Sequence, residues 1–217
     1  SGQGGFPGPI HVQVRYWVAG TVVGHEITAT TERPTVANIV SHVYFNLSGR
    51  LQPMNKPDPA SRHELTVAAA RHLPVTRQLI PLPEAPAPVS GELDLRSARP
   101  LDEVVSGAHP QIQLLHGVDH AFVLDQPSRG PAATLSHPAS GRTVSIETDY
   151  PAIQIYTGQA IEDACLTRPE GQAAPFVAVA IETEGYPDAP NRPDFPGTTL
   201  RPGETYRQTT TWHFTLS

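Results

Sequence analysis

Residues 10–30, "IHVQVRYWVAGTVVGHEITAT", show the clearest strand pattern of the chain. Apolar and polar side chains alternate over residues 10–18, which is the pattern of a half-buried β-strand. A turn at Ala19-Gly20 follows, and residues 22–30 have the composition of a strand that pairs with the first. The stretch therefore predicts a β-hairpin with one apolar face, and with it an antiparallel sheet.

Similar strand patterns recur along the chain. Runs of apolar and β-branched residues predict further strands at 64–69, 120–124, 143–148, 152–156, 176–183 and 207–216. Proline accounts for 24 of the 217 residues. That is about twice its usual share of ~5%, which disfavours helix interiors and favours short strands joined by stiff loops. The proline-rich residues 81–92 are predicted to be such a loop. We therefore predict an all-β antiparallel sandwich, with residues 1–217 as a single domain.

The bulk composition excludes several classes of protein. The net charge is −6 and no basic cluster stands out, so we expect no nucleic-acid partner. No apolar run approaches the roughly 18 residues of a membrane-spanning helix, so we expect no membrane partner. The one cysteine, Cys165, forms no internal disulfide and suits a reducing compartment, which favours the cytoplasm.

A glutamate followed by a rigid loop marks the stretch "IETEGYPDAPNRPDFPG", residues 181–197. Glu182 ends a predicted strand, and four prolines follow it closely. Proline fixes φ and removes a backbone donor, so this loop is neither a helix interior nor a central strand. The stretch by itself favours a surface connection with an incidental acid. The alternative is a catalytic carboxylate held beside a rigid pocket wall.

Three further stretches place polar side chains among apolar ones. They are "SHVYFNLSG" (residues 41–49), "HGVDHAFVLD" (116–125) and "YPAIQIYTG" (150–158). Each has a structural interpretation on its own. His42 is compatible with a packed strand histidine, and Asp119 with a turn or cap residue at the start of a strand. Gln154 and Tyr156 share one face of a short strand.

Taken together, these stretches resemble the aldose 1-epimerase (galactose mutarotase) family. The resemblance is carried by four motifs in matching order and spacing: "HVYFNLSG", "GVDHAFVL", "SGRTVSIETDYPAIQIYTG" and "IETEGYPDAPNRPDFP". Two flanking segments extend it over essentially the whole chain: "GGFPGPIHVQVRYWV" and "LRPGETYRQTTTWHF". The resemblance implies a β-supersandwich enzyme that interconverts the α and β anomers of aldohexoses such as galactose or glucose, without a cofactor.

The resemblance also implies roles for individual residues. Glu182 matches the catalytic base and His42 the general acid, while Asp119 and Gln154 match contacts to the sugar; no metal is implied. Anomerisation needs such a pair, since one group removes the proton of the C1 hydroxyl while the other protonates the ring oxygen. We expect these four side chains to line one concave pocket, with Glu182 and His42 facing each other across a gap that holds a hexose ring. His63 is left unassigned as a surface or packing residue, with a contact to the sugar as the less favoured alternative.

The chain departs from the family pattern in two ways. Ser41 stands where the family usually has asparagine before the acid histidine. The N-terminal third of family members supplies another histidine and an arginine, and nothing in residues 1–10 corresponds to them. The chain therefore resembles the C-terminal two-thirds of such a protein. An N-terminal fragment of the same domain is a candidate partner, and we expect the chain alone to be weak or inactive.

Three other interpretations stay open at this point. A mutarotase-like carbohydrate-binding module, or an inactive fragment, would bind sugar without turnover. An epimerase of phosphorylated sugars would need several cations at the pocket, and the motif loops offer only Arg142 and Arg192. A metal site would use His116 and His120, although Gly117 interrupts any helix that would align them.

Overall fold

The structure, a computed structural model, contains mainly antiparallel β-strands among its regular elements. It describes residues 2–50, 52–58, 61–125, 130–161, 167–168, 171–172 and 174–217. In chain order the strands are β1 (Ile10–Ala19), β2 (Val22–Thr31), β3 (Thr35–Val36), β4 (Tyr44–Phe45), β5 (Glu64–Val67), β6 (Arg71–His72), β7 (Ala87–Pro88), β8 (Arg99–Pro100), β9 (Asp119–Val123), β10 (Ala133–His137), β11 (Arg142–Thr148), β12 (Ala152–Tyr156), β13 (Thr167–Arg168), β14 (Gly171–Gln172), β15 (Val179–Glu184), β16 (Thr199–Leu200) and β17 (Tyr206–Leu216). The helices of the described residues are short: α1 (Leu101–Val105), α2 (Pro110–Leu115) and 3-10 turns at Gln3–Gly5, Gly91–Leu93 and Ala189–Asn191.

Two main sheets pack against each other. One has seven strands in the order β1-β2-β17-β11-β10-β5-β8, and the other has six in the order β4-β15-β12-β9-β6-β7. All of their pairings are antiparallel. The core cluster draws on both sheets, with Leu135 and Ile146 from the first and Ile153 and Ile181 from the second. The architecture confirms the predicted all-β antiparallel sandwich.

The sequence pattern predicts the longer strands to within a few residues at their ends, with β10 as the exception. The only large apolar side chain of β10 is Leu135, so its alternation is hard to see in the sequence. The predicted loop at 81–92 contains only the two-residue β7 and a 3-10 turn at Gly91–Leu93. Among the described residues, no helix is both long and apolar enough to cross a membrane.

Strand β1 is not half-buried, contrary to the sequence pattern. It is exposed along almost its whole length, and Val18 is 73% exposed. β1 is the edge of the seven-stranded sheet, and its apolar face lies on the same side as Ile27 and Ala29, which are buried on β2. The alternation is therefore that of a strand whose apolar face packs on a core, but no described element covers this face of β1.

Candidate functional site

The pairing of β4 with β15 places a histidine beside a glutamate. In this antiparallel pair Tyr44 lies opposite Ala180. His42 comes two residues before Tyr44 and Glu182 two residues after Ala180, so continuing the same register brings these two side chains opposite each other. The His42 Nε2 atom is 3.3 Å from Glu182 Oε1. A pair far apart in sequence thus becomes a cross-strand pair.

The next two strands add the other two predicted residues. Gln154 on β12 lies opposite Glu182 on β15, and its neighbour on β9 is Ala121. Because alanine leaves space there, Gln154 reaches diagonally to Asp119, and its Nε2 donates a 2.6 Å hydrogen bond to Asp119 Oδ1. Neighbouring strands therefore carry His42, Glu182, Gln154 and Asp119 on one face of the six-stranded sheet.

The prediction that a hexose-sized gap separates the acid from the base is wrong. His42 and Glu182 are in direct contact at 3.3 Å, because cross-strand neighbours have Cβ atoms only about 5 Å apart. The His42 side chain is 52% exposed, and the Glu182 side chain is 9% exposed beneath it. The two groups lie side by side on one face of the sheet.

Burial sets the electrostatics of the site. It raises the pKa of Glu182 to about 7, and the negative charge of Asp119 adds to this effect. Burial also raises the pKa of Asp119, an effect opposed by the hydrogen bond from Gln154 and by His42. A carboxyl group whose pKa lies near neutrality is well matched to accepting and returning a proton at neutral pH.

Two tyrosines form an aromatic wall beside His42. The Tyr44 ring lies 4.8 Å from the imidazole, between ring centroids, and the Tyr156 ring approaches edge-on at 6.5 Å. The two tyrosine rings are 6.2 Å apart. These contacts restrict the orientation of the imidazole and give one side of the site an apolar surface. The sequence signal for Tyr44 was its position two residues after His42, on the same face of a strand.

The proline-rich loop after Glu182 is tied to the segment at 81–89. The Arg192 guanidinium donates to the carbonyl oxygens of Leu82 at 2.9 Å, Ala85 at 2.9 Å and Pro83 at 3.2 Å. The same guanidinium lies over the ring of Phe195, 4.1 Å from its centroid. These contacts favour a rigid wall beside Glu182 over the incidental surface loop that the stretch alone suggested.

His63 does not belong to this site. It is fully buried, its Nε2 accepts from the Leu47 backbone N–H at 2.9 Å, and its Nδ1 lies 2.7 Å from the Ser61 carbonyl oxygen. Burial lowers the pKa of His63 to about 4. Both ring nitrogens are thus occupied by backbone groups, and the residue has a packing role.

The phosphate and metal interpretations find no support in the described residues. The Arg142 guanidinium donates to the Leu47 carbonyl oxygen at 2.9 Å, and that of Arg192 is committed to its own loop contacts. His120 Nε2 lies 2.9 Å from Gln111 Oε1 and is buried, so it does not form a pair with His116. Over the described part of the chain, no three potential metal ligands converge.

The chain is similar to known proteins over its whole length. Residues 1–213 match the model of the aldose 1-epimerase family. The chain belongs to the aldose 1-epimerase family. It is 37% identical to the galactose mutarotases of Rattus norvegicus and Mus musculus, over 219 residues in each case.

These relatives are longer than the chain. The alignments cover 100% of the chain and 60% of each rodent mutarotase, so the chain spans about three-fifths of their length. A crystal structure of an aldose epimerase homologue from C. elegans superposes with a TM-score of 0.85 at 26% identity. That match covers 98% of the chain and 62% of the C. elegans protein. The chain therefore has the epimerase fold, and it corresponds to about three-fifths of the length of these relatives.

Proposed function

We propose that the chain carries the acid/base site of an aldose 1-epimerase that interconverts the α and β anomers of a free aldohexose such as galactose or glucose. The observation that supports it best is the contact between His42 Nε2 and Glu182 Oε1 at 3.3 Å. The C1 hydroxyl and the ring oxygen of a pyranose are both bonded to C1, so they present two reacting oxygens side by side. An adjacent acid and base suit that arrangement better than two groups on opposite sides of the ring.

The proposed mechanism conserves protons. The Glu182 carboxylate removes the proton of the C1 hydroxyl, while the protonated His42 imidazole donates to the ring oxygen and the C1–O bond of the ring breaks. Rotation about C1–C2 turns the aldehyde over. The ring oxygen then attacks the other face of C1, His42 takes its proton back, and Glu182 returns its proton to the new hydroxyl. No cofactor or redox step enters this cycle.

Asp119 and Gln154 are proposed to hold the sugar. The hydrogen bond between them fixes both side chains. It leaves Gln154 Oε1 buried without a hydrogen-bond partner among the described residues. A sugar hydroxyl is a donor of the kind that such an oxygen lacks. The galactose named for the rodent relatives makes galactose the first substrate to assay.

An N-terminal fragment of the same domain remains the proposed partner. The apolar face of β1, formed by Ile10, Val12, Val14, Tyr16 and Val18, is exposed, although it continues the buried face of β2. We propose that polypeptide equivalent to the remaining two-fifths of the relatives packs there. Residues 1–217 would then be part of one domain, and the lone cysteine favours the cytoplasm as its location.

Polarimetry of freshly dissolved α-D-galactose and α-D-glucose tests the function. We expect the native gene product to accelerate mutarotation of at least one sugar, and the 217-residue chain alone to be weak or inactive. Sugar binding by the gene product without any acceleration would contradict the proposal and would favour a carbohydrate-binding module instead.

A further inference from the structure

Glu184 is a second buried carboxyl group next to the proposed base. It lies two residues after Glu182 on β15, and side chains two apart on a strand point to the same side. Glu184 is only 8% exposed. Its Oε1 atom is buried and has no hydrogen-bond partner among the described residues. The mechanism above gives no role to a carboxyl group at this position, whether it is ionised or protonated.

The ionisable groups that interact with Glu184 are acidic, while the histidine of the site, His42, pairs with Glu182 instead. Glu182 lies on the same strand, Asp119 interacts with it from β9, and Tyr150 interacts with it from the turn before β12. Tyr150 is itself hydrogen-bonded to Tyr206 of β17, at 2.8 Å between hydroxyl oxygens. None of the ion pairs found in the described residues includes Glu184. An ionised Glu184 would therefore add a negative charge to two existing ones, with no cation paired to it.

We propose that Glu184 is a positioning residue of this site, which keeps its proton while Glu182 is ionised and so gives the base an uncharged neighbour. Two adjacent carboxylates in a buried site do not both ionise freely, and the first to lose its proton holds the proton on the other. If Glu184 ionised first, Glu182 would stay protonated at neutral pH and could not act as a base. The proposal rests on the proposed function only where it names Glu182 as that base.

The direction of the pKa shifts agrees with this order of ionisation. Burial, followed by the charges of Glu182 and Asp119, raises the pKa of Glu184 to about 8. The pKa of Glu182 is raised less far, to about 7. The two side chains are about equally buried, but Glu182 Oε1 lies 3.3 Å from His42 Nε2, whereas Glu184 Oε1 has no hydrogen-bond partner among the described residues. This difference gives the same order on geometric grounds.

Thermal unfolding of the 217-residue chain across pH tests the proton on Glu184 without any catalytic assay. Folding raises the pKa of this carboxyl above its ordinary value of 4.5. As the pH rises from 4.5 to the pKa in the folded state, such a group lowers the free energy of unfolding. Glu184→Gln cannot ionise and escapes this cost. We expect the melting temperatures of Glu184→Gln and wild type to differ little at about pH 5, and the variant to gain several degrees by about pH 9.

The matched control is Glu32→Gln, an exposed glutamate between β2 and β3 that belongs to none of the ion pairs of the described residues. The difference in melting temperature between this control and wild type should not grow in the same way as the pH rises. A difference for Glu184→Gln that is constant across pH would overturn the proposal, since a purely structural effect of the substitution would not depend on pH.

The acid limb of mutarotation in the native gene product tests the order of ionisation. If Glu184 is protonated while Glu182 titrates, Glu184→Gln should leave the midpoint of the acid limb where it is in wild type. A midpoint that moves down by about one pH unit or more would show that Glu184 carries the charge first, and would overturn the proposal. Absence of any mutarotation would refute the proposed function instead and leave the unfolding test valid.

Discussion

At the scale of single residues, the site depends on one cross-strand contact. His42 and Glu182 are neighbours because β4 and β15 pair in one register, and a slip of β4 by one residue would turn His42 to the other face of the sheet, away from Glu182. The sequence showed which residue types were present. The register, which decides their separation, follows from the packing of both strands and is not visible in either motif.

Replacing His42 tests the acid. His42→Asn keeps a polar side chain of similar size, but the amide cannot be protonated to donate to the ring oxygen. We expect the rate of mutarotation in the native gene product to fall by about 10²-fold or more. His213→Asn, on β17 and partly exposed, serves as the control and should retain the wild-type rate. An unchanged rate in His42→Asn would show that the acid lies elsewhere.

The pH dependence of the rate tests the base. Burial raises the pKa of Glu182 to about 7, and only the ionised carboxylate accepts a proton. We therefore expect kcat/KM to fall as the pH drops below about 7, approaching a tenfold loss per pH unit. The profile is measured by polarimetry after subtraction of the uncatalysed rate. A kcat/KM that stays constant down to about pH 5 would be inconsistent with Glu182 as the base.

At the scale of elements, one side chain joins the proline-rich loop to a second loop. Arg192 reaches three carbonyl oxygens of the segment at 81–89 and also pairs with Asp194 at 2.8 Å. A planar guanidinium presents several donors at fixed angles, whereas a lysine ammonium is a compact point charge. The loop is thereby fixed to the segment that contains β7, which lies at the opposite edge of the six-stranded sheet from β4.

A charge-conserving substitution tests this loop contact. We expect Arg192→Lys to lower kcat/KM of the native gene product about ten- to a hundredfold, because small displacements of positioning groups are costly in catalysis. Arg207→Lys is the control, since Arg207 is exposed and pairs with Glu26 at 3.0 Å on the other sheet. Wild-type kcat/KM in Arg192→Lys would mean that the loop does not position the site.

The strands and the proposed site differ in how well the sequence predicts them. Long alternating strands such as β1 and β17 can be recognised in the sequence, because the spacing of their apolar residues is a property of the local sequence. The short β10 and the register of β4 depend on tertiary packing. Glu184 was overlooked although its spacing from Glu182 places both on one face, because burial and missing partners appear only in the folded chain.

At the scale of the whole molecule, the uncovered face of β1 is the main irregularity. Its apolar side chains are the continuation of a buried face, and β1 is also an edge strand with unpaired backbone groups. Exposed apolar patches next to a free edge favour association with other chains. The 217-residue chain by itself should therefore associate with copies of itself.

A charge on this face should suppress the association. We expect Val14→Asp to shift the chain toward monomer in sedimentation velocity, because the aspartate lies at the middle of the exposed face of β1. Leu216→Asp is the control: Leu216 is equally apolar and 76% exposed, but lies at the end of β17. A wild-type chain that sediments as a monomer at all concentrations would contradict this prediction.

One substitution tests whether Glu182 accepts the proton of the C1 hydroxyl. Glu182→Gln keeps the shape of the side chain and removes its capacity to accept that proton. In polarimetry of α-D-galactose with the native gene product, we expect the variant to lose nearly all acceleration while its circular dichroism spectrum matches that of wild type. Full activity in a folded Glu182→Gln variant would show that the base lies elsewhere.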